Sequence, residues 1–239
     1  MNLYAGTSGY SYKEWKGSFY PEKIPAKDML PYYASRLPAV ELNKRFYRTP
    51  DKSVVESWKG QVPENFRFSV KAPQMITHFK RLNDVAAETR SMLRTFSLLE
   101  DRLGVILFQL PPNMKKDLAR LKTFLKKLPA DIRTAWEFRH PSWFDDDVLA
   151  LLRSQNRALC IADTVELPAT HIDKTADWGY LRLRRVKYKK SDLVEWSSRI
   201  QAQDWQDAFV FFKHEDEGTG PKLAARLLAL NRVTVRVNL

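Results

Sequence analysis

The chain has 239 residues, 44% of them hydrophobic, and carries 40 Lys and Arg against 28 Asp and Glu, a formal net charge of +12. That apolar content excludes a disordered chain, and the length suits one domain with a sizeable core. No window approaches ~18 consecutive apolar residues, so no membrane-spanning helix and no membrane partner are expected, and the positive excess favours anionic partners instead.

The first strand is expected from Leu3, with no basic, apolar and small-residue signal peptide ahead of it. It runs into a loop crowded with aromatics: Tyr10, Tyr12, Trp15, Phe19 and Tyr20. Such rings stack on bases or sugars when cations are near, or they pack on each other as a small lid core. A helix over 27–37 leads to a strand from Ala39, a helix over 51–59 to a strand from Phe66, and a helix over 84–99 to a strand from Gly104. A helix over 115–128 puts Leu118, Leu121, Phe124, Leu125 and Leu128 on one apolar face, with its lysines on a solvated one. The fifth strand is expected near Arg133. The next helix, over 145–155, opens on Asp145, Asp146 and Asp147, where carboxylates suit the amino end. Strands follow from Ala158, Trp178 and Ala208, with Phe46, Tyr47 and Trp143 as further aromatics after earlier strands. The last helix spans 221–230, and the tail over 233–237 has the pattern of an extra short strand. Cys160, the only cysteine, lies in an apolar run and reads as core. With no disulfide and no leader, the chain is expected to be cytoplasmic.

Strands that alternate with helices argue for a parallel sheet built of βαβ units. Eight strands in this length fit an α/β fold of (β/α)8 TIM type, one domain over 1–239. An open doubly wound sheet is the alternative, but no G-x-G-x-x-G follows the first strand and no phosphate-cradling G-x-x-x-x-G-K-[ST] is present.

Side chains alternate across a strand, and the outer face of a barrel must be apolar to pack on helices. Val40 and Leu42 then point out, and Glu41 and Asn43 point in. By the same parity Arg67, Ser69, Lys71, Gln109, Glu137, Arg182, Arg184 and Lys213 point in, while Asp163 falls at a strand end. Buried charges are costly unless paired, and most of these lie at the carboxyl ends of their strands, where barrel enzymes build their sites. The structural alternative is an ion-pair network in which Lys71 and Arg182 neutralise Glu41 and Glu137.

His78, His140 and His214 follow strand ends on the same face. With Glu41, Glu137 and Asp163 they offer either a divalent metal site or metal-free acid–base work. No pair has the H-E-x-x-H spacing, and Lys71, Arg139, Arg182 and Lys213 put cations around the mouth that repel a metal and suit a phosphate or carboxylate. The metal-free reading is therefore preferred, and no cofactor is specified. The run over 182–190 is six-ninths basic and forms a loop that either contacts a phosphate backbone or is simply solvated.

Gly6-Thr7-Ser8-Gly9-Tyr10, Val40-Glu41-Leu42-Asn43 with Phe46-Tyr47, Phe68-Ser69-Val70-Lys71-Ala72-Pro73, Ile76-Thr77-His78, Gln109-Leu110-Pro111-Pro112 and Glu137-Phe138-Arg139-His140 with Ser142-Trp143 together resemble the YecE-like family, long catalogued as a domain of unknown function. The resemblance covers nearly the whole chain. It implies a TIM-type barrel with these motifs lining one mouth, and it carries no established activity. More loosely, the fold is similar to barrels that include metal-dependent endonucleases acting at abasic sites and sugar isomerases, an analogy of fold alone. The run from Phe212 to Pro221 departs from the asparagine-rich turn expected there.

Three functional readings follow. The preferred one is a barrel that binds an anionic, phosphate-containing ligand, with Glu41, Glu137, His78, His140 and Asp163 as catalytic candidates. Tyr10, Asn43, Lys71, Gln109, Arg139, Trp143, Arg182 and Lys213 are its ligand-binding candidates. The second is a nucleic-acid-binding or phosphodiesterase-like barrel, and the third a non-catalytic interaction protein whose ionic mouth is structural.

Overall fold

Eight short apolar runs form eight strands: β1 Asn2–Ser8, β2 Ala39–Leu42, β3 Arg67–Lys71, β4 Leu103–Gln109, β5 Thr134–Glu137, β6 Ala158–Asp163, β7 Trp178–Leu183 and β8 Asp207–Phe212. Each starts within one residue of its expected position. All pair in parallel, and β8 returns to β1 to close the barrel. The computed structural model describes residues 1–43, 50–164 and 172–237, with side chains through Asn231. Phe46 and Tyr47 lie outside the described residues.

The helices are α1 Met29–Ala34, α2 Lys52–Gly60, α3 Ala86–Phe96, α4 Leu118–Leu125, α5 Asp146–Ser154, α6 Lys190–Gln201 and α7 Thr219–Val237. The (β/α)8 architecture is therefore present. Helix α4 begins three residues later than expected because the Asp117 carboxylate accepts the backbone N–H of Arg120 at 2.9 Å and caps it. Helix α6 is one that the sequence reading does not place. Its buried Leu193, Trp196, Ser197 and Ile200 follow helical spacing, but Ser197 and the charged residues around them dilute the apolar stripe.

The tail is a correction. The segment over 233–237 is the last part of α7, not a strand. Its β-branched alternation is overridden by a helix whose Leu223, Ala224 and Leu227 are already buried, and the closed barrel leaves no sheet edge for a ninth strand.

Strand parity divides the interior in two. Val40, Phe68, Val70, Ile106, Phe108, Trp136, Leu181, Val210 and Phe212 point outward and pack under the helices. Ala39, Val105, Leu107, Ala135, Cys160, Trp178, Tyr180, Phe209 and Phe211 fill the lumen. Cys160 is thus core, and burial pushes its thiol well above the ordinary range. At Gly6 a Cβ would lie 1.8 Å from the carbonyl oxygen of Ala39, so only glycine lets β1 approach β2 here. That approach brings Ser8 level with Glu41 in the β1–β2 register.

Candidate functional site at the barrel mouth

Above the apolar lumen, the carboxyl ends of the strands carry a buried ionic cluster. Arg182, 1% exposed, stands at its centre on β7. Its Nη2 donates to Glu41 Oε1 at 2.8 Å, and its Nη1 donates to Glu137 Oε2 at 2.5 Å and, more weakly, to Gln109 Oε1 at 3.4 Å. Both carboxylates are fully buried. The structural ion-pair expectation is thus met in part, with Arg182 serving both glutamates.

Glu41 has further donors. Its Oε1 also accepts from Ser8 Oγ at 2.5 Å and Asn43 Nδ2 at 2.7 Å, and its Oε2 accepts from Tyr180 Oη at 2.6 Å. Tyr180 shares a second hydrogen bond with Ser69 Oγ at 2.6 Å. Glu137 Oε1 accepts two bonds from Arg139, from Nε at 2.7 Å and Nη2 at 2.6 Å. Burial by itself would raise both carboxyls. The guanidinium charges of Arg182 and Arg184 outweigh it, joined at Glu137 by Arg139, and both glutamates are brought down to about 2. A carboxylate held this strongly in its ionised form is neither a general acid nor a useful base near neutral pH. Glu41 and Glu137, expected as acid–base candidates, are thus held ionised and organise the mouth around Arg182.

Lys71 and His78 are mouth groups whose surroundings favour the uncharged form. Burial first, then the Arg182 charge, brings Lys71 down to about 8, against partial opposition from Glu137 and Glu41. Burial and the Lys71, Arg139 and Arg81 charges hold His78 below the usual imidazole value. His78 sits in a π-helical turn, Met75–Phe79, with its Nδ1 2.9 Å from Thr77 Oγ1. Arg184, not among the expected ligand contacts although parity turns it inward, is half-buried, and its Nε is sealed with no hydrogen-bond partner among the described residues. Arg182 Nε and Asn43 Oδ1 are likewise buried without one.

Other candidates fall elsewhere. Asp163 is buried and accepts from Arg185 Nε at 3.0 Å and Tyr188 Oη at 2.9 Å, tying down the loop after β7. By parity it lies on the outer side of β6, so its expected catalytic role gives way to a structural one. Trp143, expected at the ligand, is fully buried. It stacks on Phe138 at 4.7 Å and donates from Nε1 to the carbonyl of Met114 at 2.7 Å, with no surface left for a ligand. His140 caps a short 3-10 turn, its Nδ1 accepting from the Ser142 backbone at 3.2 Å. His214 is buried against Tyr188 and Phe212, with Nε2 2.7 Å from the carbonyl of Arg185. Lys213 is exposed.

Tyr10 is half-buried beside Tyr33, and its carbonyl accepts from Tyr20 Oη at 2.6 Å. Trp15, Phe19 and Tyr20 pack on one another and on Tyr32 and Tyr33, which is the lid-core alternative for this loop. Of the nine-residue basic run, Arg182 is core and Arg185 is paired with Asp163, while Lys187 is exposed. Ser8, Ser69 and Tyr180 were missed as site residues. Parity offers the signal for Tyr180, two residues before Arg182 on the same face.

Among the described residues no group of three or more His, Cys, Asp or Glu side chains is gathered closely enough to hold a metal ion, and no helix is long and apolar enough to cross a membrane.

Comparison with known proteins agrees with this architecture. A family model described as "Protein of unknown function DUF72" matches residues 4–237. The UPF0759 protein YunF of Bacillus subtilis is 26% identical, over 95% of this chain and 94% of its own length. The UPF0759 protein YecE of Escherichia coli is 34% identical over a shorter stretch, 47% of this chain and 42% of its own. Among solved structures, a DUF72 family protein of Thermotoga maritima superposes with a TM-score of 0.78 at 26% identity, covering 98% of this chain and all of that one.

Proposed function

The chain belongs to the DUF72 family, and we propose that its barrel mouth binds a small metabolite through an oxyanion, a phosphate or a carboxylate, held by Arg184 and Lys71. The supporting observation is a charge imbalance. Among the described residues, Glu41 and Glu137 already answer to Arg182 and Arg139, while Arg184 stands beside them with its buried Nε lacking an acceptor. Burial and the neighbouring Arg182 charge disfavour the charged form of Lys71 and of Arg184, and both are held below their ordinary values. An oxyanion there would remove that penalty and give the sealed Arg184 Nε an acceptor. The excess positive charge disfavours a divalent metal at the same point. With both glutamates held ionised, proton transfer on a bound metabolite falls to Lys71 and His78.

A nucleic acid suits the mouth less well. The aromatic side chains of the first loop spend their faces on each other, and the arginine at the centre of the mouth, Arg182, is buried. The test is thermal unfolding and titration calorimetry at matched ionic strength with inorganic phosphate, sulfate, sugar phosphates and 2-oxo acids. Saturable binding that raises Tm, and that disappears in Arg184→Gln, is expected. No heat and no Tm shift with any of these anions would overturn the reading.

A further inference from the structure

We propose that Lys71 is an amine nucleophile that forms an imine with a carbonyl compound whose oxyanion is seated at Arg184. The class of substrate is a 2-oxo acid or a phosphorylated aldehyde or ketone. The inference rests on the anion reading above and adds the reacting group to it.

Placement comes first. Lys71 is the last residue of β3, turned to the lumen side two residues above Ser69, whose hydroxyl touches Tyr180. It is half-buried and lies within electrostatic reach of Glu41 on β2, Glu137 on β5, Arg182 on β7, Arg184 just past β7, and His78 in the turn that follows its own strand. Lysine at the carboxyl end of a barrel strand is in position to meet a ligand in the mouth. An amine attacks a carbonyl only through its lone pair, so it must be neutral. Crowding by cations and removal from water are the two physical means of making it so. Both are present here, and the two carboxylates that would oppose them are engaged by Arg182 and Arg139.

Elimination points the same way. Glu41 has four donors on its two oxygens and Glu137 is shared by two arginines, so neither is placed to take a proton. Asp163 and His214 are committed to the loop after β7, and Cys160 lies deep in the lumen. Among the described residues, Lys71 is a mouth amine that is only half-buried and lies within electrostatic reach of Arg184. The neutral His78 imidazole beside it is suited to carry protons.

The step balances without an oxidant or reductant. The Lys71 nitrogen forms a bond to the carbonyl carbon, and one amine proton moves to the oxygen, giving a carbinolamine. A second proton, taken from solvent by the His78 imidazole and passed to the carbinolamine oxygen, lets the hydroxyl leave as water while the nitrogen lone pair closes the C=N bond. The product is an iminium ion. The positive charge of lysine thus returns only after the carbonyl is bound, next to an anion that stabilises it.

The experiment traps that ion. The full chain is incubated with pyruvate or with glycolaldehyde phosphate in the presence of sodium borohydride, digested, and mapped by mass spectrometry. A reduced adduct on Lys71 is expected, cut at least about tenfold by inorganic phosphate and by Arg184→Gln, the loss of one charge-assisted contact. Its rate should rise with pH to a midpoint at or above about 8, because the ligand-free amine loses its proton near 8 and a seated oxyanion moves that loss upward. Preference between the two probes tells whether the seat is cut for carboxylate or phosphate. Lys71→Arg should keep phosphate binding and form no adduct. Phosphate binding without an adduct, or label spread over the exposed lysines and unchanged in Lys71→Arg, overturns the imine and leaves the anion site standing. Loss of phosphate binding as well overturns both.

Discussion

The two ends of one lumen solve the same problem in opposite ways. At the amino ends of the strands Tyr4 stacks on Phe209 at 4.9 Å and Trp178 meets Phe209 edge-on at 6.1 Å. The charges there lie at the rim. Arg133 pairs with Asp207 while 34% exposed, and Arg67 covers the ring of Tyr4. At the carboxyl ends Arg182, Glu41 and Glu137 are sealed inside. The aromatic plug below gives the charges above a low-dielectric floor, which strengthens both their attraction and the penalty on any charge left over. The lower end is held by aromatic packing, and the upper by buried ion pairs.

Paired substitutions can break that division. Phe209→Ala should cost about 3–5 kcal/mol in urea unfolding, as large-to-small changes in cores do, and leave phosphate affinity unchanged. Arg182→Met should cost about 3–5 kcal/mol as well, because it leaves two buried carboxylates uncompensated, and it should abolish phosphate binding. Equal loss of affinity in both variants would show that the two ends are not separable. Acid comes next. Both glutamates are depressed in the fold, so the stability they give is present above about 4.5 and is lost as pH falls toward about 2. Stability measured against pH should keep that acid limb in Phe209→Ala and lose it in Arg182→Met. Third, Arg184→Gln removes a poorly compensated cation, so the ligand-free protein should gain about 1 kcal/mol while losing its response to phosphate. An unchanged phosphate response would move the anion elsewhere. The smallest effect is expected from His140→Ala, about 0.5–1 kcal/mol for a lost cap and no change in binding.

The strands were legible because each is an apolar run between polar stretches, and parity then sorted lumen from shell. That put Glu41, Ser69, Lys71, Glu137 and Arg182 on the correct face. Parity says nothing about partners, so the convergence of Ser8, Asn43 and Tyr180 on Glu41 was invisible. So was the division of labour in which arginines hold the carboxylates ionised. Asp163 ends β6 on its outer side, one step from the lumen-facing Ala162, and Trp143 is folded by a 3-10 turn onto Phe138, away from the mouth. Helix α6 was hidden by its polar composition, and the last turns of α7 by β-branched residues that a helix tolerates once its core face is packed.

Glu41 takes hydrogen bonds from three separate stretches of chain: Ser8 on β1, Asn43 just past β2, and Tyr180 with Arg182 on β7. In evolutionary terms this makes the carboxylate a knot of epistasis. Exchanging Arg182 alone strands a buried charge, while changes at Ser8, Asn43 or Tyr180 act on the same carboxylate and so are expected to be non-additive. Lys71 and Arg184 stand outside the knot, one layer nearer the solvent, where single substitutions are survivable. A new ligand preference would therefore arise first at those two positions, on a foundation that stays fixed.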